Sequence, residues 1–296
     1  MNELNGIIVL NKPRGYTSHD AVSIVRRTLG TRKVGHTGTL DPNAEGVLPI
    51  CVGKSTKACD MITFSDKEYI AVVKLGVGTD TYDIWGKVLK VQTADVNAEK
   101  IREAISNFTG EIYQVPPMYS ALKQNGKKLY ELARQGIEVE RKPRKITIYE
   151  CELLNIMGDT FSIRVRCSKG TYIRSLCHDI GKYLGCGACM QELTRTKSSV
   201  FTLEEAISFA DLENKVKVNG AQCVLGCVDR LFMMYPKYVV NPTVKSRLLN
   251  GAYSRVGIDI GTYRIYDEND DFVGIANVIV GEKGNVIKIE KAFVGE

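Results

Sequence analysis

The chain has 296 residues, 44% of them hydrophobic, with 40 Lys and Arg against 34 Asp and Glu for a net charge of +6. That length can bury a sizeable core and suits one large domain followed by a small one, while so mild a positive balance does not by itself point to a nucleic-acid partner. No run approaches the roughly 18 apolar residues of a membrane span, no N-terminal stretch joins a basic region to a long apolar run and a cleavage site, and nine scattered cysteines read as reduced thiols of a cytoplasmic protein.

In chain order, residues 6–10 are an apolar run of strand length stopped at once by Asn11-Lys12-Pro13, and Ser18 caps a helix that runs to Leu29 and ends at Gly30. Alternation over 69–75 predicts a strand. Asn97 caps a second helix whose Ile101, Ala104, Ile105 and Phe108 share one face, with Gly110 beyond its end. A second alternating run, 161–167, turns an arginine face outward, and a helix is expected over 171–184. From about Pro236 the texture changes to short β-like pieces at 237–240, 252–258, 262–266, 272–280 and 286–294, separated by Gly, Asn and Asp, which suggests a small barrel. Strands and helices are interspersed without a βαβ rhythm. The expected fold is therefore α+β with a mixed, largely antiparallel central sheet over 1–235 and a small β domain over 236–296. No internal repeat or low-complexity tract interrupts it.

The richest stretch is 34–49, which sets Asp41 on a glycine-flanked loop leading into an apolar strand. Pro42 disfavours a helical Asp41, and Gly35, Gly38 and Gly46 let a bulky partner approach the main chain. The bland alternative is an Asx turn, in which Asp41 bonds only its own backbone. Taken whole, Gly35-His36-Thr37-Gly38-Thr39-Leu40-Asp41-Pro42 followed by Gly46-Val47-Leu48-Pro49 resembles the catalytic motif of the TruB-type tRNA pseudouridine synthases. The resemblance continues through Asn11-Lys12-Pro13, Thr17-Ser18-His19, the 79–83 segment with Gly86, the 116–123 segment, and Lys169-Gly170-Thr171-Tyr172-Ile173-Arg174, so it spans residues 6 to about 200.

That resemblance implies isomerisation of uridine to pseudouridine at position 55 in the T arm of tRNA, by base flipping and without a cofactor or metal. It makes Asp41 the nucleophile, toward the sugar C1′ or the base C6, and Arg174 the cation that keeps it ionised. Taken alone, Arg174 reads as a surface residue of a helix's first turn. By the same resemblance Tyr69 stacks on the target base, Tyr172 and Leu193 wall the pocket, and His36 inserts beside the flipped nucleotide. Without it, Tyr69 is an ordinary packed strand tyrosine. The acidic 79–83 segment lacks the remaining positions of a calcium loop and is expected to be a hydrogen-bonding loop beneath the site. The barrel resembles the PUA-type RNA-binding module of the family. Where the family commonly shows Leu-Arg-Arg-Thr, this chain has Leu193-Thr194-Arg195-Thr196, one guanidinium fewer.

Residues 121–145 hold eight basic residues against three acidic, nearly the net charge of the whole chain. The segment resembles the family's thumb loop, which implies that Lys123, Lys127, Lys128, Arg141 and Lys142 meet the phosphates of the T-arm stem-loop; the other reading is a solvated loop. Cys186 and Cys189 with Cys223 and Cys227 have spacings that a zinc site could use, but their apolar neighbours favour packing, and no metal is expected. Three other functions compete. An RNA-binding module or tRNA-folding chaperone is opposed by the full catalytic motif, and a guide-RNA-dependent synthase by the basic insert after Pro117, so no guide RNA is expected. A retaining glycosidase needs a second anchored carboxylate, for which Glu45 is the nearest residue.

Overall fold

The computed structural model describes residues 4–63 and 65–294. The first half runs β1 (Gly6–Lys12), α1 (Ser18–Leu29), β2 (Val34–His36), β3 (Glu45–Val52), α2 (Cys59–Thr63), β4 (Lys67–Leu75), β5 (Val77–Thr79), β6 (Val88–Val91), α3 (Ala98–Asn107) and β7 (Gly110–Gln114). A small unit of β8 (Lys123–Gln124), β9 (Lys127–Lys128) and α4 (Leu129–Arg134) precedes β10 (Arg144–Met157), β11 (Thr160–Cys167), α5 (Ile173–Tyr183), β12 (Ala188–Ser198), β13 (Phe201–Thr202) and α6 (Phe209–Asn219). The chain closes with β14 (Lys237–Val239), α7 (Pro242–Leu249), β15 (Ser254–Arg255), β16 (Gly261–Tyr266), β17 (Phe272–Gly281) and β18 (Gly284–Ala292).

The main sheet has the order β1-β3-β12-β4-β11-β10-β7, with β2 added to β3 and β13 to β12. Every pair in it is antiparallel except β12 with β3, so the sheet is mixed and largely antiparallel as expected. The arginines of β11 face outward and pair with glutamates of β10, Arg166 with Glu150 and Arg164 with Glu152.

β1 and β3 read as continuous apolar runs because both of their faces are covered. Ile8 and Leu10 of β1, with Leu48, Ile50 and Val52 of β3, join the core under α1 and α5. The alternate residues Ile7, Val9, Val47 and Cys51 join a second cluster with Phe232, Tyr266, Phe272, Ile275 and Phe293. The C-terminal sheet, of order β14-β16-β17-β18-β15, thus packs on the back of the main sheet while keeping a core of its own around Val273, Val278 and Ile287.

Four local expectations need correction. The cap of α1 is Thr17, whose hydroxyl accepts from Asp20 N–H at 3.0 Å while the Asp20 carboxylate accepts from Thr17 N–H at 2.8 Å. Ser18 is turned inward. The expected strand over 252–258 shrinks to Ser254–Arg255, and the unforeseen α7 begins at Pro242 behind the cap Asn241. Residues 121–145 are folded and do not form a plain loop. Asn125 and Gly126, at φ 50 and 82, turn β8 into β9, and Leu129 and Leu132 of α4 bury against Met118. Cys223 and Cys227 are exposed where packing was expected, because Gly226 exchanges backbone hydrogen bonds of 2.9 Å with Ile7 and holds that stretch as an edge along β1.

Candidate functional site

The loop between β2 and β3 is pinned on both sides of Asp41. The hydroxyl of Ser18 accepts from Leu40 N–H at 2.9 Å. On the far side, the Pro42 carbonyl accepts from Gly15 N–H at 2.9 Å and from the Lys12 ammonium at 3.2 Å. Lys12 is fully buried and spends its other donors on the carbonyls of Pro13 and Tyr16. Burial pushes its pKa down to about 8, against the pull of the Asp41 charge. A turn closed by Ala44 N–H on the Asp41 carbonyl, at 3.0 Å, then feeds β3.

The Asx alternative is not what forms. The Asp41 carboxylate, 35% exposed, is held at both oxygens by Arg174, with Nε to Oδ2 at 2.8 Å and Nη2 to Oδ1 at 3.1 Å. Arg174 lies on the first turn of α5 as expected, but its side chain is only 6% exposed. Its remaining donors go to the carbonyls of Tyr119 at 2.8 Å and Thr81 at 3.2 Å, and Asp83 stands 3.9 Å from Nε. The fork is therefore aimed by three segments and delivers a charge-assisted, bidentate pair to one carboxylate.

Tyr69 lies opposite Arg195 across β4 and β12, and Leu193 lies opposite Ala71 in the same register. Directly opposed residues share a sheet face, so phenol, leucine and guanidinium stand on one side. Burial pushes the Tyr69 phenol up, with Arg195 pulling the other way. Tyr172 caps α5 and is tied through its backbone to the buried side chain of Gln114, by hydrogen bonds of 2.8 and 3.0 Å. Its phenol is also raised by burial, and both tyrosines sense the Asp41 charge. His36 ends β2, where its Nδ1 accepts from Gly38 N–H at 3.3 Å. Burial, then the charges of His19 and Arg195, lower its pKa and keep it neutral.

Sequence reasoning gave four supports no role in the site. Lys12, Ser18 and Gln114 anchor the backbones that carry Asp41 and Tyr172. Arg195 is 1% exposed, and its Nε donates to the Val47 carbonyl at 2.7 Å. The signal for it lay in Gly46, at φ 103, where a Cβ would sit 2.3 Å from the Arg195 carbonyl. At that glycine the bulky partner is β12 of the same chain. The 79–83 segment does lie against the site as a hydrogen-bonded loop: the Thr79 and Thr81 hydroxyls donate to the Asp83 carbonyl and Thr81 also to its carboxylate. Burial raises the Asp83 pKa, opposed by the Thr81 hydroxyl and then by Arg174.

Among the expected phosphate contacts, Lys123, Lys127 and Lys142 are exposed and Lys128 is half-buried, with its ammonium 3.2 Å from the Tyr130 hydroxyl. Arg141 is more enclosed than these lysines. Its side chain is 14% exposed and donates to the Pro116 carbonyl at 3.2 Å and to Glu138 at 3.0 Å, so it clamps the segment to the chain before it. Among the described residues, no three His, Cys, Asp or Glu gather as a metal site would need, and no helix is long and apolar enough to cross a membrane.

The arrangement sets one carboxylate, held at both oxygens by a guanidinium, among apolar and aromatic side chains. A family model described as the TruB family pseudouridylate synthase N-terminal domain matches residues 26–173, and one for the tRNA pseudouridylate synthase B C-terminal domain matches 174–229. The tRNA pseudouridine synthase B of Clostridium novyi (strain NT) is 45% identical over 299 residues, covering 98% of this chain and 100% of that protein. The protein of the same name from Geobacillus kaustophilus (strain HTA426) is 47% identical over 261 residues, covering 86% of this chain and 92% of its own. Among solved structures, a Cbf5-Nop10-Gar1 complex matches with a TM-score of 0.73 at 30% identity, over 98% of this chain and 85% of that one. An H/ACA RNP bound to a substrate RNA containing 2′-deoxyuridine matches with a TM-score of 0.73 at 28% identity, over 98% and 85%.

Proposed function

Since the chain belongs to the TruB family of pseudouridine synthases, we propose that it isomerises uridine to pseudouridine in tRNA, at position 55 of the T arm. The reaction breaks the bond from ribose C1′ to N1 of the base and makes one from C1′ to C5. The C5 proton leaves and N1 gains one, so nothing is oxidised and the balance needs no cofactor. The observation that carries the reading is the Asp41–Arg174 fork, which holds a carboxylate at both oxygens and aims it in a site walled by Tyr69, Tyr172 and Leu193. The uridine enters by leaving its stack, at a cost of a few kcal/mol, and is held against Tyr69 and Leu193 while His36 takes up space beside it.

The T-arm backbone lies along Lys123, Lys127, Lys128 and Lys142, and the C-terminal sheet over 236–296 acts as a PUA-like RNA-binding domain beside the catalytic domain over 1–235. The enzyme works in the cytoplasm, and it works without a guide RNA, the latter supported by the basic hairpin and helix of residues 121–145, which offer the substrate backbone a surface of their own. Asp41→Asn tests the assignment. The amide is nearly isosteric but is no carboxylate nucleophile, so pseudouridine measured by mass spectrometry should vanish while tRNA affinity stays within a few-fold. Product formation by that variant near the wild-type rate overturns it.

A further inference from the structure

His36 also lines a concavity of about 510 Å³ that Asp41 does not border. Around it stand His19, Arg26, Arg32 and Lys33, and among the described residues no carboxylate lines it. The neighbouring Arg27 is paired with Glu213 at 3.3 Å, whereas among the described residues no Asp or Glu pairs with Arg26, Arg32 or Lys33. Arg26 donates to the Val34 carbonyl at 3.1 Å and so fixes one wall. With the Nδ1 of His36 accepting from Gly38, its neutral ring carries the proton on Nε2, a further donor. Among the described residues the lining holds no Phe, Tyr or Trp, and its rings are the imidazoles of His19 and His36. Cations that outnumber the rings and meet no acidic partner among the described residues suit ribose-phosphate more than base readout.

We infer that this concavity binds the phosphates of the loop nucleotides flanking the flipped uridine, as a second backbone surface distinct from residues 121–145. The inference rests on the reading above, because it needs His36 beside the flipped nucleotide. From there the strand on one side of the uridine crosses directly into the basic hollow, whose volume suits one or two nucleotides and no duplex.

The test pairs Arg32→Gln/Lys33→Gln with T-arm hairpins in which single phosphates are replaced by uncharged methylphosphonates. Loop substitutions should weaken binding to the wild type and cost nearly nothing further in the variant. The variant's slope of log affinity against log salt should fall by about 1.4, at about 0.7 per single-strand phosphate, with an unchanged single-turnover rate at saturating hairpin. Equal sensitivity of both proteins to loop substitutions, sensitivity confined to the stem, or an unaltered salt slope overturns the inference. The two readings fail separately: a wild-type protein that makes no pseudouridine in the hairpin removes the proposed function, whereas an active one with additive effects removes only the role of the hollow.

Discussion

Arg174 meets Asp41 through two donors while two more of its contacts fall on backbone carbonyls, so its shape matters as much as its charge. Arg174→Ala should lower the single-turnover rate by about 100-fold or more, the usual scale for losing one electrostatic contact in a catalytic site. Arg174→Lys should restore only part of it, since an ammonium cannot reproduce the fork. Rapid-quench measurement at saturating tRNA checks both, and a change confined to affinity would make Arg174 a docking residue. Lys12 gives a prediction in pH. Its pKa is lowered from 10.5 to about 8, so between those values the unfolded chain holds a proton that the folded one has lost. This group's contribution to stability therefore rises with pH from about 8 to 10.5 and is lost as pH falls through 8. Urea titrations across that range should show the component in the wild type and lack it in Lys12→Met.

Among the elements, the loop between β5 and β6 is what brings Thr81 and Asp83 to Arg174. Tyr82 sits in it at φ 64, and its ring stacks on His178 of α5 at 4.0 Å between centroids and 16° between planes. His178 is one turn beyond Arg174 on the same helix, so the stack braces the loop against the helix that carries the guanidinium. An aromatic pair is worth about 0.5–1.5 kcal/mol, so His178→Ala should slow the chemical step about 2- to 10-fold. Tyr82 binding to RNA instead would appear as a loss of affinity with the rate at saturation preserved. The 121–145 unit divides in the same way. Replacing Lys123, Lys127 and Lys142 with Gln should flatten the salt dependence of tRNA binding, whereas Arg141→Gln should loosen the unit, read as faster proteolysis near Glu138, because it frees the Pro116 carbonyl.

Across the whole molecule, the sheet after Pro236 and the catalytic sheet share one apolar cluster through Ile7, Val9 and Cys51 on one side and Phe272, Ile275 and Phe293 on the other. Phe232, Phe272 and Phe293 pack together within it at 5.7–6.0 Å between centroids. Calorimetry should then show one cooperative transition, and Phe272→Ala should cost about 3–5 kcal/mol and destabilise both parts together. Two separated transitions would mean that the cluster does not couple them. Deleting residues 236–296 should expose the second face of β1 and β3 and leave a protein prone to aggregate.

What the sequence alone determined about this protein is local in origin. The alternation in 69–75 and 161–167, the Asn97 cap and Gly30 stop, and the unbroken block from Gly35 to Pro49 each depend on neighbours a few residues away, and those strands, helices and the Asp41 loop stand where they were expected. The family followed from the order of such motifs. The tertiary structure decided what depends on residues far apart in the chain. Arg174 looks like a surface arginine until the Thr81 and Tyr119 carbonyls close around it, and Arg195 has no visible role until β12 lies parallel to β3 at Gly46. Arg141 and Cys223 show the same limit in reverse: one turned inward by a carbonyl 25 residues away, the other left outward by an edge pairing with β1. Burial of a polar side chain is set by whichever distant groups can satisfy it, and a local pattern does not hold that information.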